Sequence, residues 1–168
     1  LTLILKSTLL SAENHVLFLK LIGDCYRYIA ELKPLGDFDA CRLCRSYYHD
    51  AALLAERYLS ITSPIRLGLL LNYSVAAFEL FRDYKTACEM IKCAFDKAII
   101  RLYELNEEDY RDSTLLLQLM RDNLTLWIVM QQPFHKTAQP PVVLSSAFDI
   151  QTARSFPARY PIELAVNN

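Results

Sequence analysis

Apolar side chains recur at helical spacing through most of the chain, beginning with Val16, Phe18, Leu19, Ile22, Cys25, Tyr26, Ile29 and Leu32. That run, bounded by Ser11 and Asn14 before it and "KPLGD" after it, predicts a first helix over about 12–33. A second is predicted over about 38–59, with Asp37 or Asp39 as its cap, ending before "SITSP". Pro64 suits the first turn of a third helix to about 82, because the N–H it lacks has no partner there in any helix. Asp83 caps a fourth over about 84–105, and after "NEEDYRD" a fifth runs over about 113–131. Long helices on short links pack antiparallel to their neighbours, so the expected fold is all-α, an irregular antiparallel array. Before it, "LTLILKSTLL" reads as the end of a further helix, and with no initiating Met the chain is expected to begin within a longer protein.

Composition sharpens that picture. The 168 residues include only 3 glycines, and five of the 7 prolines fall after residue 132, which disfavours a many-turned β fold. Residues 1–132 therefore read as the helical part and 133–168 as a Pro-containing extended tail. A net charge of −1 supplies no basic field for nucleic acid, so an anion site must be local. Apolar runs such as "LGLLLNY" are too short for a membrane span, and no signal-peptide core is visible.

Cofactor chemistry finds little support. An odd set of 5 cysteines inside helical patterns reads as reduced thiols of a cytoplasmic protein. "CRLC" at 41–44 has metal-ligand spacing with His49 nearby, but no second pair follows, so Cys41 and Cys44 read as small buried residues and no metal is expected. The 3 histidines are scattered, and neither a Gly-rich phosphate loop nor G-x-S-x-G occurs, so no enzyme is expected.

What stands out is polar residues placed on apolar helices. Lys20, Asp24, Arg27 and Glu31 form one line of alternating sign along the first helix. A solvated stripe is the plain reading of that line. On the third helix Asn72 and Glu79 share a face beside Leu71 and Val75; on the fifth, Asn123 sits among Leu115, Leu116, Leu119, Leu126 and Trp127. Asparagine is a poor helix former, and bridging neighbouring helices is one reason to keep it there. Another is that an amide donates to a carbonyl and accepts from an N–H, as gripping an extended peptide backbone requires. Arginine suits a phosphate through paired charge-assisted hydrogen bonds and tyrosine adds a donor, so Arg27 and Tyr28 are candidate anion ligands. Asp24 and Glu31, three residues before and four after Arg27, are placed to hold its guanidinium.

With these residues in view, the sequence resembles the 14-3-3 family of phosphoserine and phosphothreonine readers. The resemblance lies in "FLKLIGDCYRYIAEL", "SPIRLGLLLNYSVAAFEL", "ACEMIKCAFDKAI" and "DSTLLLQLMRDNLTLW", in order, over roughly residues 10–130. It implies the C-terminal half of the family's antiparallel array, its helices five to nine. It also implies phosphate contacts at Arg27 and Tyr28 with Lys20 nearby, backbone contacts at Asn72 and Asn123, and a groove acid at Glu79. The apolar groove wall falls on Leu71, Val75, Leu115, Leu116, Leu119, Leu126 and Trp127. By the same resemblance the protein is a cytoplasmic or nuclear adaptor for phosphorylated clients, and the longer parent forms homo- or heterodimers.

Two departures matter. The family's earlier helices supply further phosphate-binding cations and most of the dimer interface, so weak phosphopeptide binding is expected of this chain alone. The alternative is a divergent helical scaffold that has lost phosphate reading. Within the motif, Cys25 replaces a usual aromatic and Ile22 a usual lysine. The tail also departs, since "ARSFP" places Ser155 two residues before Pro157, resembling the family's phosphoserine, any residue, proline pattern, while Arg154 is too close for the usual upstream arginine. Ser155 is thus a candidate phosphosite, and a tail occupying the groove of its own or a neighbouring chain is the autoinhibitory expectation; plain disorder is the other reading.

Overall fold

A computed structural model describes residues 11–32 and 38–131. Within them lie five long helices: α1 (Ala12–Leu32), α2 (Phe38–Tyr58), α3 (Pro64–Glu79), α4 (Tyr84–Ile99) and α5 (Glu107–Gln131), with a 3-10 turn at Leu102–Glu104. The all-α class read from apolar spacing is what the described residues adopt. The segment "LTLILKSTLL", Asp37 and the segment 133–168 with Ser155 lie outside the described residues.

Local chemistry sets the boundaries. The Ser11 hydroxyl oxygen accepts from the Asn14 N–H at 3.2 Å, opening α1. Ser63 caps α3 ahead of Pro64, and Asp83 caps α4 by accepting from the Thr86 N–H at 3.2 Å. Asp39 lies inside the first turn of α2, where its charge favours the positive helix end. Three boundaries differ from the sequence expectation. The third helix stops at Glu79 because Arg82 takes a left-handed φ of 56°, which turns the chain toward Asp83. The fourth stops at Ile99, and a 3-10 turn carries Leu102 into the core. The fifth begins early, within "NEEDYRD", because the Asn106 side-chain oxygen accepts from the Asp109 N–H at 2.9 Å and Glu107, Glu108 and Asp109 favour a helix N-terminus.

Packing follows from these faces. Ala40, Cys44, Tyr48, Ala51 and Ala55 form the buried stripe of α2, whose small side chains let α1 and α2 run closely together. Val16, Leu19, Leu59, Leu69 and Ala76 complete that core with them. The α3 helix packs against every other long helix and is the hub of the array. It holds α5 through Phe78, whose ring stacks on Trp127 at 4.4 Å, a contact worth about 0.5–1.5 kcal/mol beyond the area it buries. A buried hydrogen bond from the Ser113 hydroxyl to the Thr62 carbonyl, 2.7 Å, ties α5 to the loop before α3. Outward, α1 shows an uncharged face of Leu17, Phe18, Leu21, Cys25, Ile29 and Leu32.

One close approach fixes how α1 and α2 meet. Gly23, in the interior of α1, lies against Tyr48, and a Cβ there would come within 2.9 Å of Tyr48 Cδ1. Gly68 on α3 is different: its added Cβ would meet only Leu116 side-chain carbons at 3.8 Å. Gly23→Ala is expected to lower unfolding free energy by about 1–3 kcal/mol through overpacking. Gly68→Ala should raise it by up to about 1 kcal/mol, as helix propensity favours alanine. Urea denaturation of both variants measures the contrast; equal effects would contradict the packing described.

Candidate functional site

The charged line of α1 is drawn inward at its centre. Asp24 is only 8% exposed, and its carboxylate accepts from three donors on three helices. Lys20 Nζ, one turn earlier on α1, bonds Oδ2 at 2.7 Å; Tyr48 Oη on α2 bonds Oδ1 at 2.5 Å; Asn72 Nδ2 on α3 bonds Oδ1 at 2.9 Å. Burial alone would raise the Asp24 pKa, but these three donors and the nearby Lys20 charge outweigh it and hold the carboxyl below its ordinary value of 3.8. Tyr48 titrates the other way, its hydroxyl pushed up by burial and by the adjacent carboxylate. It stays a proton donor across the physiological range.

Arg27 sits one turn further on. Its Nη1 donates to Glu31 Oε1 at 2.7 Å, and its guanidinium lies over the Tyr28 ring at 4.4 Å. The side chain is 14% exposed. Burial would lower its pKa, but the Tyr48 hydroxyl and Glu31 more than compensate, so the positive charge is secure. One donor of the fork, Nε, is buried without a hydrogen-bond partner. That is a departure from the usual satisfaction of buried polar groups.

Of the residues singled out from sequence, Lys20, Asp24, Arg27, Tyr28, Glu31 and Asn72 are brought together here. The pairing of the two carboxylates differs from the expectation in one respect. Glu31 does hold the guanidinium, whereas Asp24 turns to Tyr48, Lys20 and Asn72 and reaches Arg27 only through the tyrosine. Tyr48 was absent from the sequence reading, although Gly23, a glycine inside a helix, signals that something packs closely there.

The remaining candidates lie on α3 and α5. Glu79 is exposed, Val75 and Asn123 are half-buried, and none of them joins the hydrogen-bonded cluster among the described residues. Leu115, Leu119 and Leu126 stand exposed along α5 with Leu116 half-buried between them. Leu71 and Trp127 are buried, the tryptophan ring stacked on Phe78. Cys41 and Cys44 both lie on α2, where burial pushes the Cys44 thiol up to about 12, an inert thiol.

The pH dependence of stability follows from Asp24. Its pKa is lower folded than unfolded, so its stabilisation is complete above about pH 4 and is lost as pH falls through the lowered folded value. Asp24→Asn is therefore expected to flatten the acid limb of a stability-versus-pH curve measured by urea denaturation between about pH 5 and pH 2. An unchanged limb would remove Asp24 as its source.

Comparison with known proteins places the chain among relatives. The family model described as 14-3-3 protein matches residues 1–128. The 14-3-3-like protein GF14 omicron of Arabidopsis thaliana is 48% identical over 118 residues, covering 70% of this chain and 47% of its own length. The 14-3-3 protein beta/alpha of Rattus norvegicus is 46% identical over 127 residues, covering 74% and 50%. The 14-3-3 protein I of Plasmodium falciparum is 47% identical over 117 residues, covering 69% and 45%. The chain spans about half the length of the curated relatives it matches.

Proposed function

Because this chain belongs to the 14-3-3 family, we propose that it is part of a non-catalytic adaptor that binds phosphoserine or phosphothreonine peptides of client proteins. The observation that carries the reading is Arg27: a guanidinium nearly out of solvent, steadied by Glu31, the Tyr48 hydroxyl and the Tyr28 ring. A guanidinium held this way loses little freedom when an oxyanion arrives. Tyr28, half exposed beside it, offers a hydroxyl to the same anion. Asn72 and Asn123 serve the peptide backbone, and the exposed leucines of α5 read flanking side chains.

The charge balance limits what this half of the fold achieves by itself. Lys20 and Arg27 are each paired with a carboxylate, so the α1 line is formally neutral. A phosphate dianion gains its attraction by sharing these cations with Asp24 and Glu31, or from cations supplied outside this chain. Phosphopeptide affinity of the isolated chain is accordingly low. The same neutrality supports a second reading, a helical scaffold that binds clients without reading phosphate.

Fluorescence anisotropy of a labelled R-x-x-pS-x-P peptide and its unphosphorylated twin separates the two. The adaptor reading expects preference for the phosphopeptide and a loss of about tenfold or more on Arg27→Glu, as charge-assisted hydrogen bonds are removed. Equal binding of both peptides, unaltered by the substitution, would leave the scaffold.

A further inference from the structure

The Asp24 carboxylate is shared by a residue on the phosphate side of the site and a residue on the peptide-backbone side. Lys20 bonds one of its oxygens, while Tyr48 and Asn72 both bond the other. We propose that Asp24 is a positioning residue that couples the two halves of recognition, so that phosphate binding at Arg27 and Lys20 strengthens the grip of Asn72 on the peptide backbone. This rests on the phosphopeptide reading above.

The chemistry runs through hydrogen-bond supply and demand. An ionised carboxylate only accepts, so Asn72 must present its NH2 group to Asp24, which orients the amide and leaves its carbonyl oxygen to accept from a peptide N–H. Asp24 also draws the Tyr48 hydroxyl proton, which leaves the tyrosine oxygen's lone pairs to support the Arg27 charge. When a phosphate attracts the Lys20 ammonium, Asp24 loses part of its cationic partner. Its charge then falls more heavily on Tyr48 and Asn72, tightening both. Gly23 leaves room for this arrangement, since a Cβ there would come within 2.9 Å of the Tyr48 ring and force a shift. Coupling of this kind is reciprocal, so a fixed Asn72 favours the phosphate as much as the phosphate favours Asn72.

A cycle on the full chain tests it. The readout is the phosphate factor, the ratio of dissociation constants for the unphosphorylated and phosphorylated peptide. It is measured in the unsubstituted protein, in Asn72→Ala, in Asp24→Asn and in the double variant. Coupling predicts that Asn72→Ala lowers the factor about fivefold or more in the unsubstituted background. In the Asp24→Asn background the same substitution should weaken both peptides alike and change the factor by less than about twofold. A role in stability alone would lower affinity for both peptides together and leave the factor unmoved. A phosphate factor well above one that Asn72→Ala leaves untouched would overturn the coupling and spare the phosphopeptide reading. A factor of one in the unsubstituted protein would sink that reading and the coupling with it. Should Asp24→Asn not fold, the comparison of Asn72→Ala with the unsubstituted protein still decides, and Tyr48→Phe, which severs the path to Arg27, is expected to halve the factor or more.

Discussion

A buried carboxylate must be matched by donors, and the demand of Asp24 for three of them organises the interior of this protein around one point. Isolated, such a charge would be neutralised rather than buried. Here α1 supplies Lys20, α2 supplies Tyr48 and α3 supplies Asn72, so the three helices are held in register by one acceptor as well as by their apolar faces. Removing any one donor leaves the others to satisfy the charge, a loss of about 1–3 kcal/mol. Gly23 lets the Tyr48 ring come close enough to serve it.

From that point the candidate site is built outward. Tyr48, committed to Asp24, backs the Arg27 guanidinium; Glu31 and the Tyr28 ring hold it from other sides. The result is an arginine whose position is decided before any ligand arrives, in a line of side chains with no net charge. The neighbouring side chains fix the orientation of the guanidinium but leave no surplus positive charge, since Lys20 and Arg27 are each paired with a carboxylate.

Among the described residues, helix number and type were legible because periodicity is a local property, and Pro64 and Asp83 stand at helix starts as their chemistry expects. The start of α5 was missed because "NEEDYRD" looks like a polar loop, and only the Asn106 bond to Asp109 shows it as a capped helix start. Arg82 in a left-handed conformation could not be foreseen, since nothing local demands it of an arginine. At the site, spacing alone aligned Lys20, Asp24, Arg27 and Glu31 on one face of α1. Which carboxylate serves which cation depended on Tyr48, a residue 24 positions from Asp24, and contacts across helices leave no periodic trace. The burial of Trp127 likewise depends on α3, through its stack on Phe78, which its own helix does not announce.

Everything built around this point requires Asp24 to be an ionised, triply bonded carboxylate rather than a buried neutral acid. Carbon-13 NMR of the aspartate side-chain carboxyls, with the Asp24 resonance assigned by its loss in Asp24→Asn, follows that ionisation directly. The expected titration midpoint lies below the ordinary aspartate value of 3.8. A midpoint at or above that value would mean that desolvation wins over the three donors, and would contradict it.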